Sequence, residues 1–186
     1  MISIANNFER SAWRAMKVMI DTNIFLDVLL SREPFYESSK KVLVLCEDKK
    51  IQGFLSASSV TDLFYLIRRA THSVEIAYRG LGAVLDIAKV LTVTNGDVLT
   101  AFLRKAADFG DCLLAVCAKS NRCDAIVTRN KKDFQSFQTV DKPLIRDSKA
   151  SRKSFILTQI YLQNRDMNNF ITLLEKLLRT QEKSCC

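Results

Sequence analysis

The sequence predicts an α/β protein: three layers, α/β/α, around a central parallel sheet of about five strands. Three observations carry that expectation. Short apolar runs bounded by turn residues recur at 18–20, 51–55, 90–94 and 124–128, each the length of a buried strand. Stretches with apolar residues at helical spacing lie between them. Strands that alternate with helices imply parallel order, with helices packed on both faces.

The elements follow in order. Residues 1–16 are polar and mixed and read as an N-terminal arm. Lys17-Val-Met-Ile opens the sheet and ends abruptly in Asp21-Thr-Asn. Residues 24–30 read as a short helix, broken near Pro34. A second helix runs over 35–49, with Phe35, Val42, Leu43, Leu45 and Cys46 at helical spacing. The strand at 51–55 leads through serines into a helix over about 60–70, and His72-Ser73 separates it from a helix ending near 89. The strand at 90–94 precedes helices over 98–107 and 112–119, and the strand at 124–128 follows. A fifth strand is expected near 139–145. The domain is thus expected over 17–145, with 146–186 a basic linker and a helical extension. In that extension 155–162 and 170–178 carry helical apolar spacing; the last helix either covers the core or meets a partner.

Composition narrows the class. The 186 residues suit one domain with a sizeable core. The 28 Lys and Arg against 20 Asp and Glu leave a net charge of +8, which suits an anionic partner such as nucleic acid or simply a solvated surface. Six cysteines without a CxxC and a single histidine, His72, argue against zinc. Cys46, Cys112 and Cys117 fall in apolar helical patterns and read as small core residues. No apolar span approaches membrane length and no secretory leader is apparent, so the chain is expected to be cytoplasmic, without a membrane partner.

Acidic residues recur where a parallel sheet gathers its ligands, at the carboxyl ends of strands and the helix starts beside them. Asp21 ends the first strand; Asp62 opens the helix after the second; Asp108 and Asp111 start the helix before the fourth; Asn130 and Asp133 follow it. Clustered carboxylates without a cation repel each other, and hard divalent cations take oxygen ligands. The chemistry served by that pattern is metal-assisted phosphodiester cleavage. Each residue also has a structural reading. Asp21 and Asp108 suit helix N-caps, Ser59 with Asp62 matches a capping box, Asp111 suits a first helical turn, and Asp133 suits a turn. Asp27 is expected on the exposed side of the first helix.

Four motifs, Val-Met-Ile-Asp-Thr-Asn-Ile-Phe-Leu-Asp (18–27), Ser-Val-Thr-Asp-Leu-Phe-Tyr-Leu (59–66), Asp-Phe-Gly-Asp-Cys-Leu-Leu-Ala (108–115) and Ala-Ile-Val-Thr-Arg-Asn-Lys-Lys-Asp-Phe (125–134), resemble in order and spacing the PIN-domain family of small nucleases. The resemblance covers about 17–145. It implies a five-stranded parallel sheet, dependence on Mg²⁺ or Mn²⁺, and endoribonuclease activity; many bacterial relatives are VapC-like toxins restrained by an antitoxin, and PIN-like proteins commonly form homodimers. Matched by position, Asp21 corresponds to the family's first acid and Asp111 to the acid opening its later helix. Asp62 stands where the family usually has Glu, and Asn130 where many members have Asp, with Asp133 or Asp108 as substitutes. The implied catalytic and metal set is Asp21, Asp62 and Asp111. Asp108, Asn130, Asp133, Thr22, Asn23 and Thr128 are auxiliary, and Arg68, Arg69, Lys131 and Lys132 steer an RNA backbone. The departures at Asp62 and Asn130 motivate an alternative, a degenerate PIN fold that binds RNA or protein without cutting. A phospho-acceptor domain is disfavoured, because partner acids beside the first strand are missing.

Overall fold

The computed structural model describes residues 16–130 and the strand Thr158–Tyr161. In chain order the elements are β1 (Lys17–Ile20), α1 (Thr22–Leu29), α2 (Tyr36–Glu47), β2 (Gln52–Ser56), α3 (Ala57–Thr71), α4 (Val74–Ile87), β3 (Ala88–Leu91), α5 (Asn95–Arg104), α6 (Phe109–Ser120), β4 (Ala125–Thr128) and β5 (Thr158–Tyr161). The five strands form one sheet in the order β3-β2-β1-β4-β5, every neighbouring pair parallel. The predicted class and strand number are therefore observed.

The sheet is buried on both faces because its central strands carry apolar side chains in both directions. Val18 and Ile20 of β1, Leu55 of β2 and Val127 of β4 join a core with Ile24 and Phe25 of α1, Val42 of α2, Leu63 and Ile67 of α3, and Val84 of α4. Met19 and Ile126 belong to the opposite core, with Leu114, Cys117 and Ala118 of α6. Cys46, Cys112, Cys117 and Cys123 are all buried free thiols, as core placement requires. Burial pushes Cys46 up to about 12 and Cys117 and Cys123 to about 11, which keeps the reactive thiolate scarce.

Three helices begin one turn earlier than their apolar spacing predicts: α3 at Ala57 rather than 60, α5 at Asn95 rather than 98, and α6 at Phe109 rather than 112. In each the first turn is polar or carries the cap, so the apolar period starts late. Asp97 illustrates the device. Its side chain accepts from the Thr94 amide at 2.9 Å while Thr94 Oγ1 accepts from the Asp97 amide at 3.2 Å, a reciprocal capping box. Burial pushes the Asp97 carboxyl up, but hydrogen bonds from Ser120 and Thr94 outweigh it and hold the group below its ordinary value.

The strand expected at 139–145 lies outside the described residues. Two other expectations are corrected. β5 is Thr158–Tyr161, within 155–162 where the spacing predicts a helix. Its Thr, Ile and Tyr favour a pleated surface, and β4 supplies the edge with which it pairs in parallel. The sheet therefore takes a strand from beyond residue 145. Asp27 is fully buried, not exposed. The helix Thr22–Leu29 has Ile24, Phe25, Leu26 and Asp27 buried in succession, so it lies inside the molecule on nearly all sides and leaves Asp27 no solvent-facing position.

Gly53 marks a close approach between β2 and α2. A Cβ there would stand 2.8 Å from Cys46 Sγ and 3.0 Å from Ile20 Cδ1. Gly53→Ala is expected to cost about 1–3 kcal/mol through overpacking, read as a lowered midpoint in urea unfolding; an unchanged midpoint would show that Cys46 yields without strain.

Candidate metal-binding site

The order β3-β2-β1-β4-β5 places the topological switch between β1 and β4, since β2 and β3 continue on one side of β1 and β4 and β5 on the other. Open parallel sheets bind ligands beyond the carboxyl ends of the strands at such a point. Asp21 follows β1 there, and Thr128 ends β4.

Asp21 is 4% exposed, and its amide donates to the Val127 carbonyl at 3.0 Å, carrying the β1–β4 ladder one residue further. As the N-cap of α1, its Oδ1 accepts from the Asn23 amide at a long 3.5 Å. Asn23 Nδ2 donates to Oδ2 at 3.4 Å. The short bond is across the switch: Thr128 Oγ1 donates to Asp21 Oδ2 at 2.7 Å. Capping is therefore the weaker engagement, and the side chain is held mainly by the neighbouring strand.

Thr128 passes the connection on. It is fully buried, and its hydroxyl accepts from the Asn130 amide at 3.0 Å. Asn130 Nδ2 donates to Asp111 Oδ2 at 2.7 Å. The donor end of the amide must face Asp111, because an ionised carboxylate only accepts. An Asp at 130 would meet Asp111 as a like charge; Asn130 holds it as a neutral donor. Asp21, Thr128, Asn130 and Asp111 thus form one hydrogen-bonded string across the switch point.

The other expected residues are placed differently. Asp108 caps α6, its Oδ1 accepting from the Asp111 amide at 2.9 Å. Asp62 is exposed in the second turn of α3. The capping box expected for it does not form, because the cap is Ser56: β2 runs into α3 without a turn, and Ser56 Oγ accepts from the Ser59 amide at 3.1 Å. Thr22 opens α1, half-buried, and Arg68 and Arg69 are exposed in the last turn of α3. Lys131, Lys132 and Asp133 lie outside the described residues. Among the described residues, no three Asp, Glu, His or Cys side chains stand close enough to share a metal ion. His72, the lone histidine, is an exposed left-handed C-cap at φ 55°.

Sequence reasoning missed Arg129 and misplaced its partner. Arg129 Nε lies 3.2 Å from Asp27 Oδ2, its guanidinium carbon stands 4.2 Å over the Phe35 ring, and Nη2 donates to Asn23 Oδ1 at 3.4 Å. Ser39 Oγ also donates to Asp27 Oδ2, at 2.8 Å. Burial pushes the Asp27 carboxyl above its ordinary value, against the Ser39 hydrogen bond and the charges of Arg129 and Arg32. The absence of a polar face on α1 was the available signal for Asp27, and Arg129 stood unnoticed between two residues already singled out.

The hard oxygens on offer are the carboxylates of Asp21 and Asp111, held by the Thr128 hydroxyl and the Asn130 amide. They suit a small divalent cation that keeps several waters, such as Mg²⁺ or Mn²⁺, rather than a thiolate- or imidazole-seeking metal.

Comparison with known proteins bears on the family and the fold. A PIN domain family model matches residues 17–132. No curated protein matches the chain by sequence. Among solved structures the chain is similar to the Mycobacterium tuberculosis VapC20, a sarcin-ricin loop cleaving toxin, at 13% identity and a TM-score of 0.53, over 64% of this chain and 94% of that one. It is also similar to VapBC2 from Rickettsia felis bound to a DNA fragment from its promoter, at 20% identity and a TM-score of 0.51, over 65% and 92%. At those identities the likeness is one of fold.

Proposed function

The chain belongs to the PIN-domain family, and from that premise we propose that it is a metal-dependent endoribonuclease. The observation that carries the proposal is the string from Asp21 through Thr128 and Asn130 to Asp111 at the switch point. Asp21 and Asp111 would hold Mg²⁺ or Mn²⁺, with Asp62 contributing through water from α3. The ion, when bound, activates a water and neutralises charge developing at phosphorus. Thr128 and Asn23 fix the direction of the Asp21 carboxylate, and Asn130 fixes that of Asp111. Arg68 and Arg69, with Lys131 and Lys132, attract the phosphate backbone without reading sequence. We extend the proposal to a cytoplasmic toxin with an antitoxin as partner and a homodimer as its assembly. Among the described residues no helix is long and apolar enough to cross a membrane.

A second reading, a PIN fold that binds RNA or protein without cutting, is favoured by the exposed Asp62 and by Asn130 in place of an acid. One assay separates the two. Single-stranded and structured RNA incubated with Mg²⁺, with Mn²⁺ and with chelator is expected to be cut only when the divalent ion is present. RNA bound but intact in every lane, by a protein with no affinity for either ion, would establish the binding module.

A further inference from the structure

Arg129 stands between Thr128 and Asn130, the two residues that hold the acids, while its own side chain reaches onto α1 and Phe35. Asn23 links that side chain to the site. Its Oδ1 accepts from Arg129 Nη2 at 3.4 Å, which turns its Nδ2 toward Asp21 Oδ2, also at 3.4 Å. We propose that Arg129, clamped by Asp27 and Phe35, is a positioning residue that aims Asp21 and Asp111 at a common ion. It acts on Asp21 through Asn23, and on both acids through the backbone it shares with Thr128 and Asn130. The inference rests on the ribonuclease reading for what the acids hold.

The clamp is poorly built for stability alone. Asp27 Oδ1 is buried with no hydrogen-bond partner among the described residues, and the Arg129 Nε–H makes no directed hydrogen bond although it lies in ion-pair range of Oδ2. A buried ion pair with unmet valences gains little over well-packed apolar groups. What it does supply is direction. The guanidinium carbon lies 4.2 Å over the Phe35 ring while Nε faces Asp27 and Nη2 donates to Asn23, a placement of separate nitrogens that a lysine ammonium cannot reproduce. Asp27 lies near the end of the same helix that Asp21 caps. The loop after β4 is therefore fixed against the element that carries the first acid.

The test uses the full chain with Asp27→Leu and Arg129→Met combined, and Arg129→Lys alone. Replacing both charges together leaves no uncompensated buried ion, so the double variant is expected to fold with a melting temperature near that of the unaltered protein. Its Mn²⁺ affinity, by titration calorimetry, is expected to fall about 10- to 100-fold, the usual effect of removing a group that orients metal ligands. In ¹⁵N NMR spectra without metal, the Asn130 side-chain amide pair is expected to move to the position of a freely solvated amide. Arg129→Lys is expected to lose both signatures while keeping the charge. Unaltered affinity and unaltered Asn130 resonances in a folded double variant would overturn the inference. If the unaltered protein binds no metal and cuts no RNA, the ribonuclease reading fails by itself, and Asn130 resonances unmoved in both variants would then overturn the positioning role separately.

Discussion

Asp21→Asn is expected to abolish RNA cleavage and leave the fold intact. The exchange is nearly isosteric, Asn is as good an N-cap as Asp, and its amide oxygen still accepts from Thr128. The melting temperature should therefore move by only a few degrees. What disappears is a negative charge, 4% exposed and fixed at 2.7 Å from Thr128 Oγ1, where a divalent cation needs one. Losing several kcal/mol of charge stabilisation corresponds to a rate lower by on the order of 10³-fold. Single-turnover cleavage at saturating Mn²⁺ is the measurement, with circular dichroism as the control for folding. A folded variant that cuts at the original rate would remove Asp21 from the site and the ribonuclease reading with it.

Arg129→Ala is expected to be strongly destabilising at the carboxyl end of the sheet. It leaves Asp27 fully buried without its counter-charge and removes the guanidinium from over the Phe35 ring. Removing one partner of a buried pair costs about 3–5 kcal/mol, which for a domain of this size lowers the melting temperature by roughly 10 °C or more. The deficit should depend on pH in a definite direction. The folded-state value of Asp27 is raised above its ordinary 3.8, so the folded state holds the proton more tightly than the unfolded chain. The associated stability is complete below 3.8 and is lost as pH rises through the raised folded value. Without Arg129 that value rises further, so the variant should recover part of its deficit on going from pH 8 to pH 5. Urea unfolding at both values checks it; a deficit independent of pH would mean that Asp27 is not the group left exposed to the loss.

Much of the architecture was legible because periodicity reports burial directly. Val18-Met-Ile and Ala125-Ile-Val are apolar on both faces, which marks strands covered on both sides. The starts of α3, α5 and α6 were less legible, since a first turn that satisfies backbone donors is necessarily polar and hides the apolar repeat. The Thr, Ile and Tyr of β5 were the one local sign of a strand. A strand at Thr158–Tyr161 is chosen by its fit to an edge thirty residues upstream, and local spacing there favoured a helix. At the site, Asp21 and Asp111 could be recognised by motif. The role of Asn130 required the direction of its amide, and the Asp27–Arg129 clamp required knowing that α1 is enclosed.

The stretch matched by the family model ends at residue 132, but the sheet does not. β4, which carries Thr128, is hydrogen-bonded to β1 on one side and to β5 on the other. The piece of chain that defines kinship is therefore shorter than the piece that completes the sheet. A protein trimmed to the kinship boundary would keep every acid of the string and yet present the backbone of β4 as an open template for another chain. For this protein, the stop point of any shortened version decides whether the strand behind the acids ends as an interior member of the sheet or as a seam for self-association.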